Sequence, residues 1–281
     1  MRLGGGGATI GFFDSGVGGV SVWHEVVKRL PHYVTLYVAD NAHCPYGPRP
    51  PEQVQHFSRG IARFLIDRGA KLIVVACNTA SAAALASLRE EFDVPFVGME
   101  PAVKPASQQT ETGHIGILAT KGTASGDLFR DTSERYAIGA TVHIQIGEGL
   151  VERVEAGQAY LPETEELLRQ YLQPMIDSNV DQVVLGCTHY AFLLPVIRRI
   201  VPEGVAVIDP GTAVARQVER VVMSRPAEWI GSEADPAPQQ LAARFFASDR
   251  PDILAAIVEA RIGWQPQIDR VAWQDGKLHS L

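Results

Sequence analysis

The sequence contains the same succession of strand ends twice, and this internal similarity constrains the fold more than any other feature. Each likeness joins a short apolar run to another one about 105 to 110 residues later, in the same order along the chain. The pairs are Ile10-Gly11-Phe12-Phe13 with Ile115-Gly116-Ile117-Leu118, Val74-Val75-Ala76-Cys77 with Val184-Leu185-Gly186-Cys187, and Glu100-Pro101 with Asp209-Pro210. Chance explains any one pair, since Val, Ile and Gly are common at strand ends, but three collinear pairs indicate two related halves.

Short β-rich runs alternate with stretches of helical periodicity, which predicts parallel sheets with helices on both faces. Several runs, such as 72–76, are almost continuously apolar, as strands covered on both faces require. The predicted strands are Thr9–Phe13, Val34–Ala39, Lys71–Ala76, Phe96–Gly98, Ile115–Ala119, Thr141–Ile146, Gln182–Gly186 and Ala206–Ile208. The predicted helices are Val20–Leu30, Pro51–Arg68, Ala80–Glu91, Gly126–Tyr136, Glu163–Ser178 and Ala191–Ile200.

The composition is that of an ordinary globular chain and excludes several classes of function. The 281 residues are 46% hydrophobic, and a formal net charge of −7 argues against nucleic acid or an anionic membrane as a partner. No apolar run approaches the ~20 residues of a membrane helix. The first seven residues, Met1–Leu3 and Gly4–Gly7, lack the apolar core of a secretion signal. They are expected to form a flexible tail. The segment 223–240 is expected to be a surface excursion.

Cysteine usage favours a reducing compartment. The three cysteines form no CxxC pair, so neither a disulfide framework nor a structural zinc site is expected. The cytoplasm is the expected location, where free thiols are available for chemistry.

The two halves predict a shared cleft. In open α/β sheets, ligands bind beyond the carboxyl ends of the strands. Cys77 and Cys187 each follow a strand at equivalent positions of the repeat. With the halves facing each other, the two thiols lie on opposite sides of one bound molecule, which is the arrangement a two-base racemase needs.

The first thiol stands where a strand passes into an Ala-rich helix. Free backbone N–H groups and the positive end of the helix dipole are expected to lower the pKa of Cys77 and to favour its thiolate. Asn78 and Thr79 suit the N-cap position and are candidates to hold a substrate carboxylate. A buried cysteine beside a routine helix cap explains this motif, taken alone, equally well.

The second thiol repeats the pattern in Cys187-Thr188-His189-Tyr190. His189, two residues beyond the thiol, can act as an acid or base or adjust the thiol pKa. A nucleophilic pair of Cys187 and His189 is the competing functional interpretation. A zinc site here is weakly supported, because no second pair of ligands has suitable spacing.

Two further segments carry polar groups at strand ends. Asp14-Ser15-Gly16-Val17-Gly18-Gly19 matches neither the dinucleotide motif nor a P-loop, yet it places Asp14 where a catalytic or ammonium-binding carboxylate is expected. The loop 40–50 is long and rich in Pro and Gly, which is typical of functional loops. Its Cys44 receives no role.

Taken together, these motifs resemble the glutamate racemases of bacterial cell-wall synthesis. The matching segments, in the family's order and spacing, are 14–19, Pro45-Tyr46-Gly47, 76–81 and 186–190. The likeness covers residues 9–215, and Phe245–Ser248 indicates a late strand of the same fold. Aspartate racemases are similar around the cysteines but open with a different Gly-rich motif, which favours glutamate.

The resemblance implies an α/β fold of two pseudo-symmetric parallel-sheet domains that face each other across an active-site cleft. Residues 8–102 with 213–281 would form the first domain and residues 103–212 the second. The implied activity is interconversion of L- and D-glutamate, which supplies D-glutamate for peptidoglycan. No cofactor is implied: neither pyridoxal phosphate, metal nor nucleotide. A homodimer is expected.

The resemblance also assigns roles to residues. Cys77 and Cys187 would exchange protons with the α-carbon, with Asp14 and His189 assisting and Glu155 supporting the side of Cys187. The implied substrate contacts are Asp14, Ser15, Tyr46, Gly47, Asn78, Thr79, Thr188 and His189. Where many members have a Cys-Pro pair, this chain has Gly147-Glu148, so the segment 147–152 is atypical.

Three rival functions remain at this point. A racemase for aspartate or another small amino acid would use the same scaffold. A thiol hydrolase would use Cys187 and His189 covalently but leaves Cys77 unexplained. A non-catalytic module of two lobes would bind a small molecule without using either thiol.

Overall fold

The computed structural model describes residues 8–226, 229 and 243–281, and the strands within them form two sheets. The first sheet contains β1 (Thr9–Asp14), β2 (Thr35–Ala39), β3 (Ala70–Val75), β4 (Phe96–Gly98), β9 (Ala243–Ala247), β10 (Ile268–Gln274) and β11 (Lys277–Ser280). The second contains β5 (His114–Ala119), β6 (Thr141–Ile146), β7 (Gln182–Gly186) and β8 (Ala206–Ile208). The predicted tail, 1–7, and most of the predicted surface segment 223–240 lie outside the described residues.

Helices connect the strands and cover the sheets. They are α1 (Val20–Arg29), α2 (Pro51–Asp67), α3 (Asn78–Glu91), α4 (Val103–Gln109), α5 (Lys121–Ala124), α6 (Asp127–Tyr136), α7 (Leu150–Glu155), α8 (Pro162–Asp177), α9 (Leu194–Ile200), α10 (Gly211–Met223) and α11 (Pro251–Ile262). Short 3-10 turns occupy Asn41–His43 and Thr188–Phe192. Among the described residues, no helix is both long and apolar enough to span a membrane.

The two sheets repeat one strand order. The first runs β11-β10-β9-β2-β1-β3-β4 and the second β6-β5-β7-β8, so β2-β1-β3-β4 corresponds to β6-β5-β7-β8. The pairs within these two sets are all parallel. The predicted fold class, α/β with two related parallel sheets, is confirmed. Since β3 ends before Cys77 and β7 before Cys187, the two thiols occupy equivalent places.

The C-terminal part of the chain completes the first sheet. Strand β9 pairs in parallel with β2, with Phe245 beside Tyr37, and with β10 on its other edge. The predicted late strand at Phe245–Ser248 is therefore confirmed. Strand β11 turns back antiparallel to β10 and closes that edge. The boundaries given above for the two domains stay a prediction.

The strands that carry the site are buried on both faces. Ile10, Phe12 and Phe13 of β1 are fully buried, although alternate side chains point to opposite faces of the sheet. Helices α1 and α10 pack against each other, as do α2 and α3. Each fully buried large apolar side chain contributes about 1.5–3 kcal/mol. The ends of β1 and β3 are thus rigid supports for the polar residues that follow them.

Candidate functional site

A narrow cavity lies beyond the carboxyl ends of β1, β3, β5 and β7. Both thiols line it, with Cys77 4% and Cys187 8% exposed. The complete lining is Ser15, Pro45, Tyr46, Gly47, Cys77, Asn78, Thr79, Thr120, Val151, Cys187, Thr188 and His189. The structure therefore brings together every predicted substrate contact except Asp14, which lies directly behind the lining.

Cys77 caps the helix that follows it. Its sulfur accepts a hydrogen bond from the backbone N–H of Ala80 at 3.4 Å, and the thiol lies 3.9 Å from Ser15 Oγ. The helix begins at Asn78, so the predicted capping by Asn78 or Thr79 is wrong. The predicted low thiol pKa is wrong as well. Burial raises the pKa of Cys77 well above its ordinary value, the charge of Asp14 raises it further, and the Ala80 N–H offsets only part.

Asp14 is a fully buried carboxyl group beside Cys77. Its Oδ1 accepts the Ser15 N–H at 2.7 Å, and its Oδ2 accepts the Gly19 N–H at 2.7 Å. Thr188 Oγ1, which follows β7, reaches the same Oδ2 at 3.4 Å. Burial raises the pKa of Asp14, although the His189 charge and the hydrogen bonds lower it in part. A carboxyl group with a raised pKa can take up a proton from a neighbouring thiol.

On the second side, a histidine joins the thiol to a carboxylate. His189 Nδ1 lies 3.8 Å from Cys187 Sγ, and His189 Nε2 lies 2.6 Å from Glu155 Oε1. Burial alone would lower the pKa of His189. Its hydrogen bonds to Cys187, Cys44 and Glu155 outweigh burial and hold this pKa well above its ordinary value.

Glu155 is itself held from both sides of the cleft. Its Oε1 accepts the Val17 N–H at 2.8 Å, and its Oε2 accepts Asn41 Nδ2 at 3.0 Å. Burial raises the pKa of Glu155, but the hydrogen bond and the charge of His189, with these two donors, lower it overall. A charged Glu155 is one of the partners that keep His189 protonated.

The glycines of the segment 14–19 leave room for these groups. A Cβ atom on Gly16 would overlap the Glu155 carboxylate, and one on Gly18 would overlap the ring of His189. The glycines thus allow the backbone after β1 to contact side chains of the other half. This close approach explains the Gly-rich motif better than anion binding does.

Asn78 presents an amide to the cavity with no protein partner. The side chain is buried, and neither its Oδ1 nor its Nδ2 makes a hydrogen bond to any described residue. A buried polar group without a partner costs about 1–3 kcal/mol. Such a group lining a cavity is suited to a polar ligand.

Thr120 is a cavity residue that the sequence analysis missed. Its hydroxyl lies 2.9 Å from that of Thr79 and 2.9 Å from that of Thr123. The internal repeat contained the signal, because the offset that pairs β1 with β5 aligns Thr120 with Ser15. The two halves therefore contribute matching hydroxyls.

The loop after β2 is fixed by a buried carboxylate, Asp40. Its Oδ2 accepts Tyr46 Oη at 2.7 Å, and its Oδ1 accepts Ser248 Oγ at 2.9 Å and Trp273 Nε1 at 2.8 Å. The last two donors come from the C-terminal part of the first sheet. Tyr46, a predicted substrate contact, is thus positioned by strands distant in sequence.

Cys44, which received no role, lies beside the catalytic candidates. Burial raises its pKa to about 12, and its thiol contacts His189. Its place in this loop, far in sequence from β7, gave no indication of that contact.

The atypical segment 147–152 forms a turn and the start of α7. Gly147 accepts a hydrogen bond from Tyr190 Oη at 3.0 Å through its carbonyl, and Tyr171 Oη donates to the Glu148 carbonyl at 2.9 Å. A Cβ atom on Gly147 would lie 2.6 Å from Tyr190 Oη. Two tyrosine hydroxyls of the second half therefore hold this turn, and the nearer one leaves no room for a Cβ atom at position 147.

This arrangement can move protons on two sides of one small molecule. Each buried thiol has an acid–base partner, a carboxyl group for Cys77 and an imidazole for Cys187. Backbone N–H groups, hydroxyls and the Asn78 amide line the space between them.

Comparisons with known proteins agree with this geometry. Residues 17–218 match the Asp/Glu/Hydantoin racemase family. A glutamate racemase of Pseudomonas aeruginosa is 46% identical over 252 residues, 89% of this chain and 92% of that protein. One from Roseiflexus is 50% identical over 217 residues, 77% of this chain and 80% of that protein.

Solved structures give the same result. The crystal structure of Escherichia coli glutamate racemase, in complex with L-glutamate and an activator, has a TM-score of 0.82 at 31% identity and covers 98% of this chain and 99% of that one. A Bacillus anthracis glutamate racemase matches with a TM-score of 0.82 at 30% identity, over 96% of this chain and 98% of that one. The chain belongs to the Asp/Glu/Hydantoin racemase family.

Proposed function

We propose that the protein interconverts L-glutamate and D-glutamate, with Cys77 and Cys187 exchanging protons with the α-carbon. The observation that carries this proposal is the pair of buried thiols at equivalent places of two related sheets, both lining one cavity. The relatives that match over most of the chain are glutamate racemases, which supports glutamate rather than aspartate as the substrate.

In the proposed reaction, one thiolate removes the α-proton and becomes a thiol, while the opposite thiol delivers its proton and becomes a thiolate. After this step the base already lies on the side that the other enantiomer needs, so the two protonation states must exchange before a second molecule of the same enantiomer can react. Asp14 takes up or returns the proton of Cys77, and His189 does the same for Cys187.

The α-hydrogen of an amino acid is a very weak acid, so negative charge that develops on the carboxylate must be stabilised. Hydrogen-bond donors fixed in place before the reaction do this most effectively. The Asn78 amide, the Thr79 hydroxyl and the N-terminal end of α3 supply such donors beside Cys77. Thr188 and Ser15 supply hydroxyls near Asp14.

The test is substitution of each thiol. Cys77→Ser and Cys187→Ser should each abolish racemisation of both enantiomers, measured by circular dichroism, because a serine hydroxyl is too weak an acid to replace a thiol. Either variant keeping most of the activity would contradict the two-thiol assignment.

Exchange of the α-proton for solvent deuterium then assigns the faces. A single-thiol variant that exchanges one enantiomer without inverting it identifies the face served by the remaining thiol. D-aspartate is the matched alternative substrate. Faster turnover of D-aspartate than of D-glutamate would contradict glutamate as the substrate and indicate an aspartate racemase.

The proposal also includes supply of D-glutamate for peptidoglycan and a cytoplasmic location, both supported by the family resemblance, and a homodimer. Light scattering on the purified protein tests the dimer.

A further inference from the structure

A third cysteine lies beside the acid–base partner of the second thiol. Cys44 Sγ, a carboxylate oxygen of Glu155 and a ring nitrogen of His189 all lie within 4.8 Å of one another. They come from the loop after β2, the end of α7 and the turn after β7. The cluster therefore exists only in the folded chain.

We propose that Cys44, Glu155 and His189 form an inhibitory binding site for Zn²⁺. Thiolate, carboxylate and imidazole are the ligand types that zinc takes, and three protein ligands leave a fourth position open. Zinc binding releases the thiol proton of Cys44 and the Nε2 proton of His189 to solvent, so Cys44 binds as its thiolate and His189 as a neutral imidazole. Two anionic ligands then balance the charge of the ion.

The geometry requires only small side-chain movements. Ligand atoms of a tetrahedral zinc site lie about 3.3–3.6 Å apart, given zinc–ligand bonds of about 2.0–2.3 Å. His189 Nε2 and Glu155 Oε1, now 2.6 Å apart, must separate by about 1 Å. Cys44 Sγ lies within 4.8 Å of both ligand groups and must approach them by at most about 1.5 Å. The partial exposure of Cys44 and Glu155 gives the ion access from solvent.

The surroundings already hold two of the ligands in place. Glu155 is fixed by the Val17 N–H and by Asn41 Nδ2. Cys44 ends the 3-10 turn that Asn41 begins, and its N–H donates to the Asn41 carbonyl at 3.2 Å. Such outer contacts orient metal ligands and raise metal affinity.

Zinc at this site would disable one side of the reaction. Binding to His189 replaces its hydrogen bond to Glu155 and withdraws the imidazole from proton exchange with Cys187. Zinc binding itself does not depend on the proposed function, whereas the inhibition does.

The first experiment measures racemisation of D-glutamate at increasing ZnCl₂ with a phosphine reductant. Zinc should inhibit the wild type, and the concentration for half-inhibition should rise at least about tenfold in Cys44→Ala. Loss of a group that merely contacts a metal ligand already lowers metal affinity about 10- to 100-fold, and loss of a ligand should cost no less. Without zinc, Cys44→Ala should be slower than the wild type, because Cys44 helps to hold the pKa of His189 high, so each inhibition is expressed relative to the zinc-free rate of the same protein. Equal inhibition of the two proteins would place zinc on the catalytic thiols and overturn the proposal.

A matched control removes another potential zinc ligand. His114 Nδ1 and His143 Nε2 lie 3.0 Å apart on neighbouring strands of the second sheet. His143→Ala should leave the zinc inhibition unchanged. Loss of inhibition in His143→Ala would also overturn the assignment to Cys44.

The second experiment does not need an active enzyme. The double variant Cys77→Ser/Cys187→Ser retains Cys44 as its only thiol. Stoichiometric Co²⁺ should produce a thiolate-to-cobalt charge-transfer absorption in this variant, zinc should displace it, and adding Cys44→Ala should abolish it. A double variant that folds, by far-ultraviolet circular dichroism, but shows no such absorption would refute the site while leaving the proposed function untouched.

Discussion

The partners of the two thiols, Asp14 and His189, both hold their protons more tightly than they would in water. Burial raises the pKa of Asp14, and hydrogen bonds to Cys187, Cys44 and Glu155 raise that of His189. In the proposed reaction, each thiol becomes a base only when its partner accepts its proton. The two sides differ because the imidazole depends on a second carboxylate, whereas Asp14 depends on backbone N–H groups.

Glu155→Gln should therefore impair the side of Cys187 selectively. The amide keeps the shape but no longer holds the pKa of His189 high, and we expect kcat/KM to fall about 10²-fold, the lower end of general acid–base contributions. The two enantiomers have equal free energy, so kcat/KM must fall equally in both directions. The asymmetry is measured as a larger primary isotope effect with the α-deuterated enantiomer whose proton Cys187 removes.

Glu152→Gln, one turn earlier on α7 and exposed, is the control and should change neither rate nor isotope effect. Equal isotope effects for the two enantiomers of Glu155→Gln would mean that Glu155 serves both thiols.

We expect the Asn78 amide to lower the stability of the free protein while it supports activity. Replacing its unpartnered amide with the similarly sized apolar side chain in Asn78→Leu should raise the free energy of unfolding by about 1 kcal/mol, because the cost of the buried polar group disappears. The same change should lower kcat/KM strongly. Urea unfolding and steady-state kinetics measure the two effects.

Ser81→Ala, on the same helix, is a control that should show the reverse pattern, lower stability with unchanged activity. The Ser81 hydroxyl donates to the Val75 carbonyl at 3.1 Å and accepts the Met99 N–H at 2.8 Å. Its removal should cost about 1–3 kcal/mol of stability and leave kcat/KM near the wild-type value. Destabilisation by Asn78→Leu would show that its amide is satisfied in the free protein.

At the scale of elements, the turn before α7 depends on the absence of a side chain at Gly147. Gly147→Ala should destabilise the protein by about 1–3 kcal/mol, because its Cβ meets Tyr190 Oη at 2.6 Å and a Leu150 methyl at 2.7 Å. Thermal unfolding measures the loss.

Tyr190→Phe removes the nearer obstacle and its hydrogen bond to Gly147. In the double variant, the cost of Gly147→Ala should therefore shrink, giving a coupling energy of about 1 kcal/mol in a double-mutant cycle. Strict additivity would contradict the packing argument.

The elements that the sequence predicted correctly are those with unbroken patterns. Buried strands such as Phe96–Gly98 and Gln182–Gly186 agree to the residue, because continuous apolar runs mark them. Helices α4 and α7 were missed because they are only a turn or two long with little periodicity, and the longer α10 (13 residues) and α11 (12 residues) were missed as well. The helix predicted over Ala191–Ile200 begins at Leu194, because the residues up to Phe192 form a 3-10 turn and Pro195 favours a start at Leu194.

The site residues that lie in sequence motifs could be predicted from the sequence. Cys77, Cys187 and their neighbours followed from the repeat, whereas the contacts of Cys44 and Asp40 depend on tertiary packing. The predicted direction of the pKa shift of Cys77 was wrong. An argument from the helix end alone omits the free-energy cost of burying a charged thiolate, and this cost outweighs the stabilisation by one backbone N–H group.

At the scale of the whole molecule, the C-terminal strands reach the cavity through Asp40. Trp273 on β10 donates its indole N–H to Asp40, which in turn accepts the hydroxyl of Tyr46. The C-terminal segment thereby serves two purposes, closing the edge of the first sheet and positioning a loop that lines the cavity.

Trp273→Phe should therefore affect kinetics as well as stability. We expect a loss of about 1.5–3 kcal/mol in the free energy of unfolding, since the hydrogen bond is to a carboxylate. We also expect a higher KM for glutamate as Tyr46 and Gly47 lose their support. Trp23→Phe is the matched control, because the Trp23 indole donates to Thr35 Oγ1 at 3.1 Å in the same half of the molecule but away from the cavity. Trp23→Phe should destabilise the protein without changing KM. If both substitutions changed KM equally, the effect of Trp273→Phe would reflect lower stability in general and not the contact through Asp40.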